Sequence, residues 1–313
     1  MENIAILMGG ASKEKEISLK SAHTIYHHID VRKYNAYKVL YVESNKFLVI
    51  DSDNQITIDN TDFSCVIKNV KIKFQKVFMM IHGDPGENGK LCEYFESKKI
   101  PYTSCNEDVS RLTFHKFKCN QHLQSLGYKV PKSYIFNEIL ETNFPCIIKP
   151  ACSGSSFGVS KVYNNSELKI AICQAQQYDK DIMIEEFIEG REVTCAVFDH
   201  NQIQTLPITE IISENDIFDY DAKYNGKSRD VTPANIDLDI QINIQTISKS
   251  IYDDLGLSGI IRIDFVINNN SPYIIEINTI PGFSEKSIVP QMLKCANIDI
   301  KSFITLELEK LDI

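Results

Sequence analysis

Near its C-terminal end, the chain alternates apolar and polar side chains in a pattern that predicts a β-hairpin. Two such runs, 260–267 and 273–278, flank the turn-forming sequence Asn-Asn-Asn-Ser-Pro. Because side chains alternate between the two faces of a strand, the first run has a polar row that carries Arg262 and Asp264. Its apolar row consists of Ile261, Ile263, Phe265 and Ile267.

The second run repeats the alternation, with Tyr273, Ile275 and Ile277 in one row and Ile274, Glu276 and Asn278 in the other. A hairpin folded symmetrically about Asn270 places Asp264 opposite Glu276. It also places Arg262 opposite Asn278. Facing carboxylates repel each other, but a divalent cation between them creates a binding site, and oxygen ligands of this kind suit Mg²⁺. The alternative is a solvated outer face of a surface hairpin.

At the N-terminal end, the apolar run 4–8 predicts a buried strand that leads into Gly9-Gly10 and then into an amphipathic helix. A strand, a glycine turn and a helix form a Rossmann-like opening, in which ligands collect at the carboxyl ends of the strands. The GxGxxG pattern of dinucleotide-binding proteins is absent. Glu14 and Ser18 lie four residues apart at the start of the helix and can face the same way. They are candidates for ligand binding, and the alternative is that they are an ordinary acid and hydroxyl in a first turn.

Two further apolar runs lead into loops rich in glycine. The run 77–81 predicts a buried strand, and His82 follows it as a candidate for ligand contact or for a hydrogen bond to the backbone. The run 144–150 leads into the small residues 151–159, whose backbone N–H groups could bind phosphate oxygens beside the charge of Lys149. The alternative for this second loop is a mobile hairpin without a ligand.

The segment 182–192 predicts a strand whose free backbone could bind the edge of an adenine ring beside residues 186–188. Glu192 is then available for a ribose, although acids on an edge strand are common. A polar segment over 218–234 predicts a long loop, and loops of this length are often functional.

The composition of the 313 residues, with 43% hydrophobic and 24% charged residues, is that of a globular protein with room for two or three domains. Apolar runs are too short for a membrane span, and the start of the chain lacks a signal-peptide pattern, so we expect a cytoplasmic protein. Nine cysteines without a CxxC pair favour reduced thiols. A net charge of −9 argues against nucleic acid as a partner.

The order of the motifs resembles that of the D-alanine–D-alanine ligases, within the ATP-grasp carboxylate–amine ligases. The motifs are GGASKEKEISLKSA, HGDPGENG, PYTS, FPCIIKP, GSSFGVSKV, IEEFIEGREV, YDAKY, RIDF and EINTIPGF with SEKSIVP. The resemblance covers essentially the whole chain. It implies an α/β (α+β) ATP-grasp fold with a Rossmann-like substrate domain at 1–100, a central nucleotide-covering domain at 101–186 and a catalytic, metal-binding domain at 187–313.

The resemblance also implies a reaction. The carboxylate of one D-alanine attacks the γ-phosphate of ATP to give an acyl phosphate, and the amine of a second D-alanine then displaces phosphate. The expected partners are ATP, D-alanine and two Mg²⁺ ions, with Mn²⁺ as a possible substitute. A homodimer that makes peptidoglycan precursors, and that binds neither nucleic acid nor membrane, is expected from the family.

Residue roles follow from the same resemblance. Asp264, Glu276 and Asn278 match the metal ligands of the family. The phosphate-contacting lysines of the family match Lys116, Lys149 and Lys223. Arg262 and the backbone N–H of Gly282 match the groups that stabilise the tetrahedral oxyanion. The nucleotide-binding strand carries Glu185, Glu186, Ile188 and Glu192.

The substrate-binding roles concern other positions. Glu14 matches the acid that holds the ammonium of the first D-alanine, with Ser18 and His82 on the same side. Ser287 matches the hydroxyl that receives the carboxylate of the second. The matching lid residues, Ser155 and Tyr224, link loops over Glu14 and exclude water from the acyl phosphate.

Alternatives remain at this point. A related ATP-grasp ligase could use D-lactate or another amino acid as acceptor, although Tyr224 and Ser287 favour an amine. A non-catalytic nucleotide-binding protein would have lost a metal ligand or Arg262, and a Rossmann oxidoreductase would leave residues 260–290 without a role.

Overall fold

The computed structural model describes residues 1–10, 12, 14–52, 54–137, 142–213 and 228–312. Within these ranges, every helix is too short or too polar to cross a lipid bilayer. The elements group into three main sheets along the chain, with helices packed against them.

The N-terminal sheet has a parallel centre and antiparallel strands at one side. Its strands are β1 (Glu2–Gly9), β2 (Tyr34–Tyr41), β3 (Phe47–Asp51), β4 (Asn54–Thr57) and β7 (Lys76–Met79), in the order β4-β3-β2-β1-β7. A separate ribbon pairs β5 (Ser64–Ile67) with β6 (Val70–Lys73), and the helices are α1 (Lys15–His28) and α2 (Lys90–Ser97). Because β1 runs parallel to β7, the loops after both strands lie at the same edge of the sheet.

The central part of the chain carries an antiparallel sheet in the order β10-β9-β11-β8. Its strands are β8 (Ser133–Ile135), β9 (Cys146–Pro150), β10 (Ser160–Val162) and β11 (Ile182–Glu186). The helices here are α3 (Glu107–Phe114), α4 (Lys116–Ser125) and α5 (Asn165–Ala175). Helix α4 ends before Gly127, whose φ of +89° is the left-handed conformation that glycine favours just after a helix.

The C-terminal sheet has the order β15-β14-β12-β16-β17, with β13 paired to β12. Its strands are β12 (Arg191–Asp199), β13 (Ile203–Thr205), β14 (Thr209–Ser213), β15 (Ser228–Val231), β16 (Ile261–Asn268) and β17 (Ser271–Asn278). The helices are α6 (Leu238–Asp254), α7 (Ile288–Cys295) and α8 (Ile300–Glu309), followed by a 3₁₀ turn at Lys310–Asp312.

The predicted hairpin is present, and its register is confirmed at the two pairs that matter. Asp264 pairs with Glu276, and Arg262 pairs with Asn278. The apolar row of β16 is buried, as expected.

The predicted turn and one row of β17 are wrong. The turn is a two-residue Asn269-Asn270 connection in which both residues have positive φ, so that Ser271 and Pro272 already belong to β17. A register shift beside Asp264 compensates for the shorter turn. Because of this bulge, Ile274 is buried in the core, whereas Ile275 lines a cavity together with Glu276.

The predicted loop over 218–234 is also wrong in part, because residues 228–231 form strand β15, which pairs with β14. The domain boundaries after residues 100 and 186 stay predictions. The largest core joins the N-terminal sheet to α7 and α8 near the other end of the chain, and packs Ile4 and Ile25 with Met292 and Phe303.

Candidate active site

A cavity of about 870 Å³ lies between α1, the loop after β7 and the segment that follows β17. This volume is within the usual range for small-molecule sites. Among the residues predicted from the sequence, its lining includes Glu14, His82, Ser155, Arg262, Asn278, Gly282 and Ser287. Residues from all three sheets or their loops therefore share one cavity.

Glu14 is the point at which two glycine-containing loops meet. The hydroxyl of Ser155 donates a hydrogen bond to Glu14 Oε1. A Cβ atom added to Gly154 would lie 2.3 Å from Glu14 Oε2, and one added to Gly83 would lie 2.7 Å from the same oxygen. Only glycine lets both loops approach this carboxylate so closely.

His82 is buried and fixes the wall of the cavity. Its Nδ1–H donates to the carbonyl oxygen of Ile280 at 2.7 Å, and its Nε2 accepts from Ser21 Oγ at 3.3 Å. The same hydroxyl accepts from the N–H of Phe283 at 3.0 Å. Burial lowers the pKa of His82, so the ring is neutral at pH 7. It both bonds the backbone and lines the cavity.

Glu87 is a cavity residue that the sequence analysis missed. Its carboxylate accepts from the N–H groups of Gly83 at 2.6 Å and Ile280 at 3.1 Å. Burial raises its pKa to about 7, with a further contribution from the charge of Glu14. One acid among several in a polar loop carries no signal of its own. Only the folded chain reveals its position.

Ser18 does not reach the cavity. Its hydroxyl is buried, accepts from the N–H of Gly9 at 2.8 Å and donates to the carbonyl of Met80 at 2.5 Å. It therefore joins the end of β1 to the end of β7.

The side chains of the hairpin form a dense hydrogen-bonded group. Arg262 donates through Nε and Nη2 to Asp264 Oδ1 and Oδ2, at 2.9 and 3.0 Å. Asn278 Nδ2 donates to Asp264 Oδ2 at 3.1 Å, and Thr194 Oγ1 donates to Asp264 Oδ1 at 2.6 Å. This buried carboxylate is thus held by four donors. No motif in the sequence singles out Thr194 for this contact.

A second cavity, of about 170 Å³, lies beside the first. Its lining includes the predicted residues Lys116, Lys149, Glu185, Glu186, Ile188, Glu192, Asp264 and Glu276. Lys116 Nζ donates to the carbonyl of Ser153 at 2.6 Å and lies 3.4 Å from Glu276 Oε2. Burial opposes the charge of Lys116, but the carboxylates of Glu276, Glu87 and Glu14 together outweigh it, and the pKa of the ammonium is raised.

The wall of this second cavity contains an unpaired oxygen atom. Lys149 Nζ donates to Glu185 Oε1 at 2.7 Å, and both side chains are buried. Among the described residues, Glu185 Oε2 is buried without a hydrogen-bond partner. Burial raises the pKa of Glu185 despite the nearby lysine. A buried acceptor of this kind costs free energy unless a ligand supplies a donor.

Ser287 precedes the first turn of α7, and its Oγ accepts from the N–H of Ser284 at 3.0 Å. A Cβ atom at Gly282 would lie 3.0 Å from that Oγ. The N-terminus of a helix favours an anion at this place. The remaining predicted residues, Lys223 and Tyr224, lie outside the described residues.

Comparison with known proteins decides the family. A model described as "D-ala D-ala ligase N-terminus" matches residues 3–105, and one described as "D-ala D-ala ligase C-terminus" matches residues 120–308. The chain belongs to the D-alanine–D-alanine ligase family. The resemblance predicted from the motifs is therefore confirmed, and with it the ATP-grasp fold.

Relatives of the D-alanine–D-alanine ligase family match over almost their full length. The D-alanine–D-alanine ligase of Flavobacterium johnsoniae is 41% identical over 320 residues, which cover 99% of each chain. That of Phocaeicola vulgatus is 41% identical over 314 residues, covering 96% of this chain and 97% of the relative. The crystal structure of the VanG D-Ala:D-Ser ligase from Enterococcus faecalis superposes with a TM-score of 0.89 at 30% identity, covering 99% of both chains.

Proposed function

We propose that this chain joins two D-alanines to D-alanyl-D-alanine, with conversion of ATP to ADP and phosphate, for the synthesis of peptidoglycan precursors. The first carboxylate attacks the γ-phosphate, and ADP leaves. The amine of the second D-alanine then attacks the acyl carbon, and phosphate leaves. The names of the relatives support this reaction.

The observation that carries the proposal is that the two cavities meet at one hairpin. Arg262 and Asn278 line the larger cavity, whereas Asp264 and Glu276 line the smaller one. Direct hydrogen bonds connect Arg262 and Asn278 to Asp264. A carboxylate bound in the first cavity and a triphosphate bound in the second could therefore meet at this point.

In the larger cavity, Glu14 binds the first ammonium group in this proposal, and Ser287 binds the second carboxylate. The guanidinium of Arg262 and the N–H of Gly282 face the acyl carbon and stabilise the oxyanion of the tetrahedral intermediate. Donors that are already held in place cost little reorganisation during the reaction. The ion pair with Asp264 holds the guanidinium of Arg262 in place in this way.

In the smaller cavity, Lys116 and Lys149 contact the phosphates. Lys223, the third lysine expected from the family, lies outside the described residues. The unpaired Oε2 of Glu185 suits the amino group of adenine, which is a hydrogen-bond donor. The backbone at 186–188 binds the ring edge, and Glu192 binds the ribose. Ser155 contacts Glu14 through its hydroxyl, whereas Tyr224, the second lid residue expected from the family, lies outside the described residues.

A divalent cation fits the donors of the hairpin. Among the described residues no group of three acidic, histidine or cysteine side chains forms a ready metal site. Two facing carboxylates, Asp264 and Glu276, with the amide of Asn278, leave positions for phosphate oxygens, as Mg²⁺ requires. We propose that these residues hold two Mg²⁺ ions, which Mn²⁺ could replace. The cations would neutralise charge between the phosphates and the attacking carboxylate.

The remaining expectations belong to the same proposal. The protein acts as a homodimer in the cytoplasm, and it binds neither nucleic acid nor membrane. These statements have the support of the family and of the net charge of −9.

Phosphate release and dipeptide formation, measured together with ATP and Mg²⁺, test the proposed function. Assays with L-alanine alone, and with D-alanine plus D-serine or D-lactate, define the acceptor. We expect phosphate and D-alanyl-D-alanine in equal amounts with D-alanine alone. Formation of only a mixed product would assign another acceptor. Release of phosphate without any dipeptide would refute the proposed ligase activity.

A further inference from the structure

The proposed residues leave one charge of the substrates without a partner. Two D-alanines bring two ammonium groups and two carboxylates into the larger cavity. Glu14 is assigned to the first ammonium, Ser287 to the second carboxylate, and Arg262 to the reacting carbonyl. The ammonium of the second amino acid has no acid in this set, although a buried charge needs one.

Asp230 lies on the face of the C-terminal sheet that carries the reaction site. In the register of the sheet, Asp230 pairs with Ile211, Ile211 with Glu192, and Glu192 with Val266. Cross-strand partners share a face, and Val266 shares its face with Arg262 four residues earlier on the same strand. Asp230 and Arg262 accordingly line the same cavity.

The carboxylate of Asp230 is available to a ligand. Across the described part of the chain it forms no hydrogen bond or ion pair, and it is half-buried. Burial raises its pKa, and the charge of Arg262 opposes this shift. The other acids inside the cavity have other roles, because Glu14 is assigned to the first ammonium and Glu87 accepts from two backbone amides. Glu285 lies exposed at the rim.

We infer that Asp230 binds the ammonium group of the second amino acid and thereby selects an amine over a hydroxy acid as acceptor. This inference rests on the proposed function. A charge-assisted hydrogen bond forms with an ammonium donor, whereas the neutral hydroxyl of a hydroxy acid gains much less from a carboxylate. In the sequence, Asp230 lies in the polar segment over 218–234, which predicts a loop and assigns this residue no role.

The kinetic test compares D230N, which keeps the shape and removes the charge, with wild type. We expect the KM for the second D-alanine to rise about 10- to 100-fold. The KM values for ATP and for the first D-alanine should stay within about twofold. The preference for D-alanine over D-lactate as acceptor should fall by the same factor as the KM rises.

Two variants separate charge from structure. D237N removes the same charge at an exposed position seven residues away, and should match wild type in every constant. D230E restores the charge and should recover part of the lost affinity. Equal KM values for the second D-alanine in D230N and D237N would overturn the inference. So would equal losses in D230N and D230E, because shape would then decide.

A binding measurement keeps this inference separate from the reaction. Equilibrium dialysis with labelled D-alanine and ADP involves no turnover. We expect two D-alanines per wild-type chain and one per D230N chain at the same concentrations. That result in a protein that forms no dipeptide would uphold the role of Asp230 and refute the proposed function. Equal binding by both proteins would refute the role of Asp230.

Discussion

At the residue scale, the cations and carboxylates of the candidate site hold one another in position. Arg262 is paired with Asp264, Lys116 with Glu276, and Lys149 with Glu185. Buried charges are costly unless they are paired and hydrogen-bonded. Each pair therefore keeps a cation next to the cavities at a modest cost in the free energy of folding. Substrate phosphates and metal ions would exchange partners with these groups on binding.

The first prediction concerns Glu276. E276Q removes one of the two facing carboxylates and the partner of Lys116, so metal binding and phosphate transfer should fail. Turnover should fall at least about 100-fold, as is common when an electrostatic contact to the transition state is lost. Far-ultraviolet circular dichroism should be unchanged.

The exposed Glu189 provides the control, because E189Q makes the same chemical change outside both cavities. Its turnover and Mg²⁺ dependence should equal those of wild type. If E276Q turned over normally at ordinary Mg²⁺ concentrations, the metal assignment would have to be abandoned.

The second prediction concerns Glu87 and pH. Burial raises its pKa from 4.5 to about 7, so its stabilising contribution is complete below about pH 4.5 and is lost as the pH rises through 7. E87Q cannot ionise. Its unfolding free energy relative to wild type should therefore increase from pH 5 to pH 8, by roughly 2 to 3 kcal/mol.

Urea unfolding of both proteins at several pH values measures this difference. His82 has a lowered pKa and favours the folded state at higher pH, but it does so in both proteins and cancels. E43Q, at an exposed site, controls for the substitution itself. A difference between E87Q and wild type that stays constant with pH would contradict the account.

Residue types at the ends of strands were predictable, whereas the acids placed by tertiary contacts were not. Asp264 and Glu276 stand in an alternating pattern that determines their face. Glu87 and Asp230 belong to polar segments without periodicity, and their positions depend on backbone amides and strands distant in sequence. Ser18 is the opposite case. Helical spacing indicated which face of the helix carries Ser18, but it did not indicate that the ends of β1 and β7 bury the hydroxyl.

At the element scale, the hairpin of β16 and β17 shows how two local features can offset each other. A two-residue turn shortens the connection, and a bulge after Asp264 restores the pairing of Asp264 with Glu276. The sequence indicated strands and a turn. It did not indicate the bulge, because isoleucines at 274 and 275 are equally suited to either face.

The third prediction concerns this turn. Asn270 has a φ of +62°, a conformation that asparagine tolerates and β-branched residues do not. N270V should lower the unfolding free energy by about 1 to 2 kcal/mol, and N270G should leave it equal or higher. Chemical denaturation of the two variants beside wild type provides the measurement. Equal stability of N270V and N270G would argue against the two-residue turn.

At the scale of the whole molecule, the site depends on segments that are distant in sequence. The larger cavity takes residues from α1, the loop after β7, β15 and the segment before α7. The core that joins the N-terminal sheet to α7 and α8 holds these segments together. The fold class and the order of the motifs were accessible from the sequence, because each motif is local. The meeting of the two cavities required the folded chain.

The central claim is that a carboxylate in one cavity attacks a phosphate in the other. D-alanine labelled with ¹⁸O in its carboxylate tests this most directly, through mass analysis of the released phosphate. We expect one labelled oxygen to be transferred from D-alanine to phosphate for each dipeptide formed. Phosphate without label, in amounts equal to the dipeptide, would contradict an acyl phosphate and the proposed role of the hairpin.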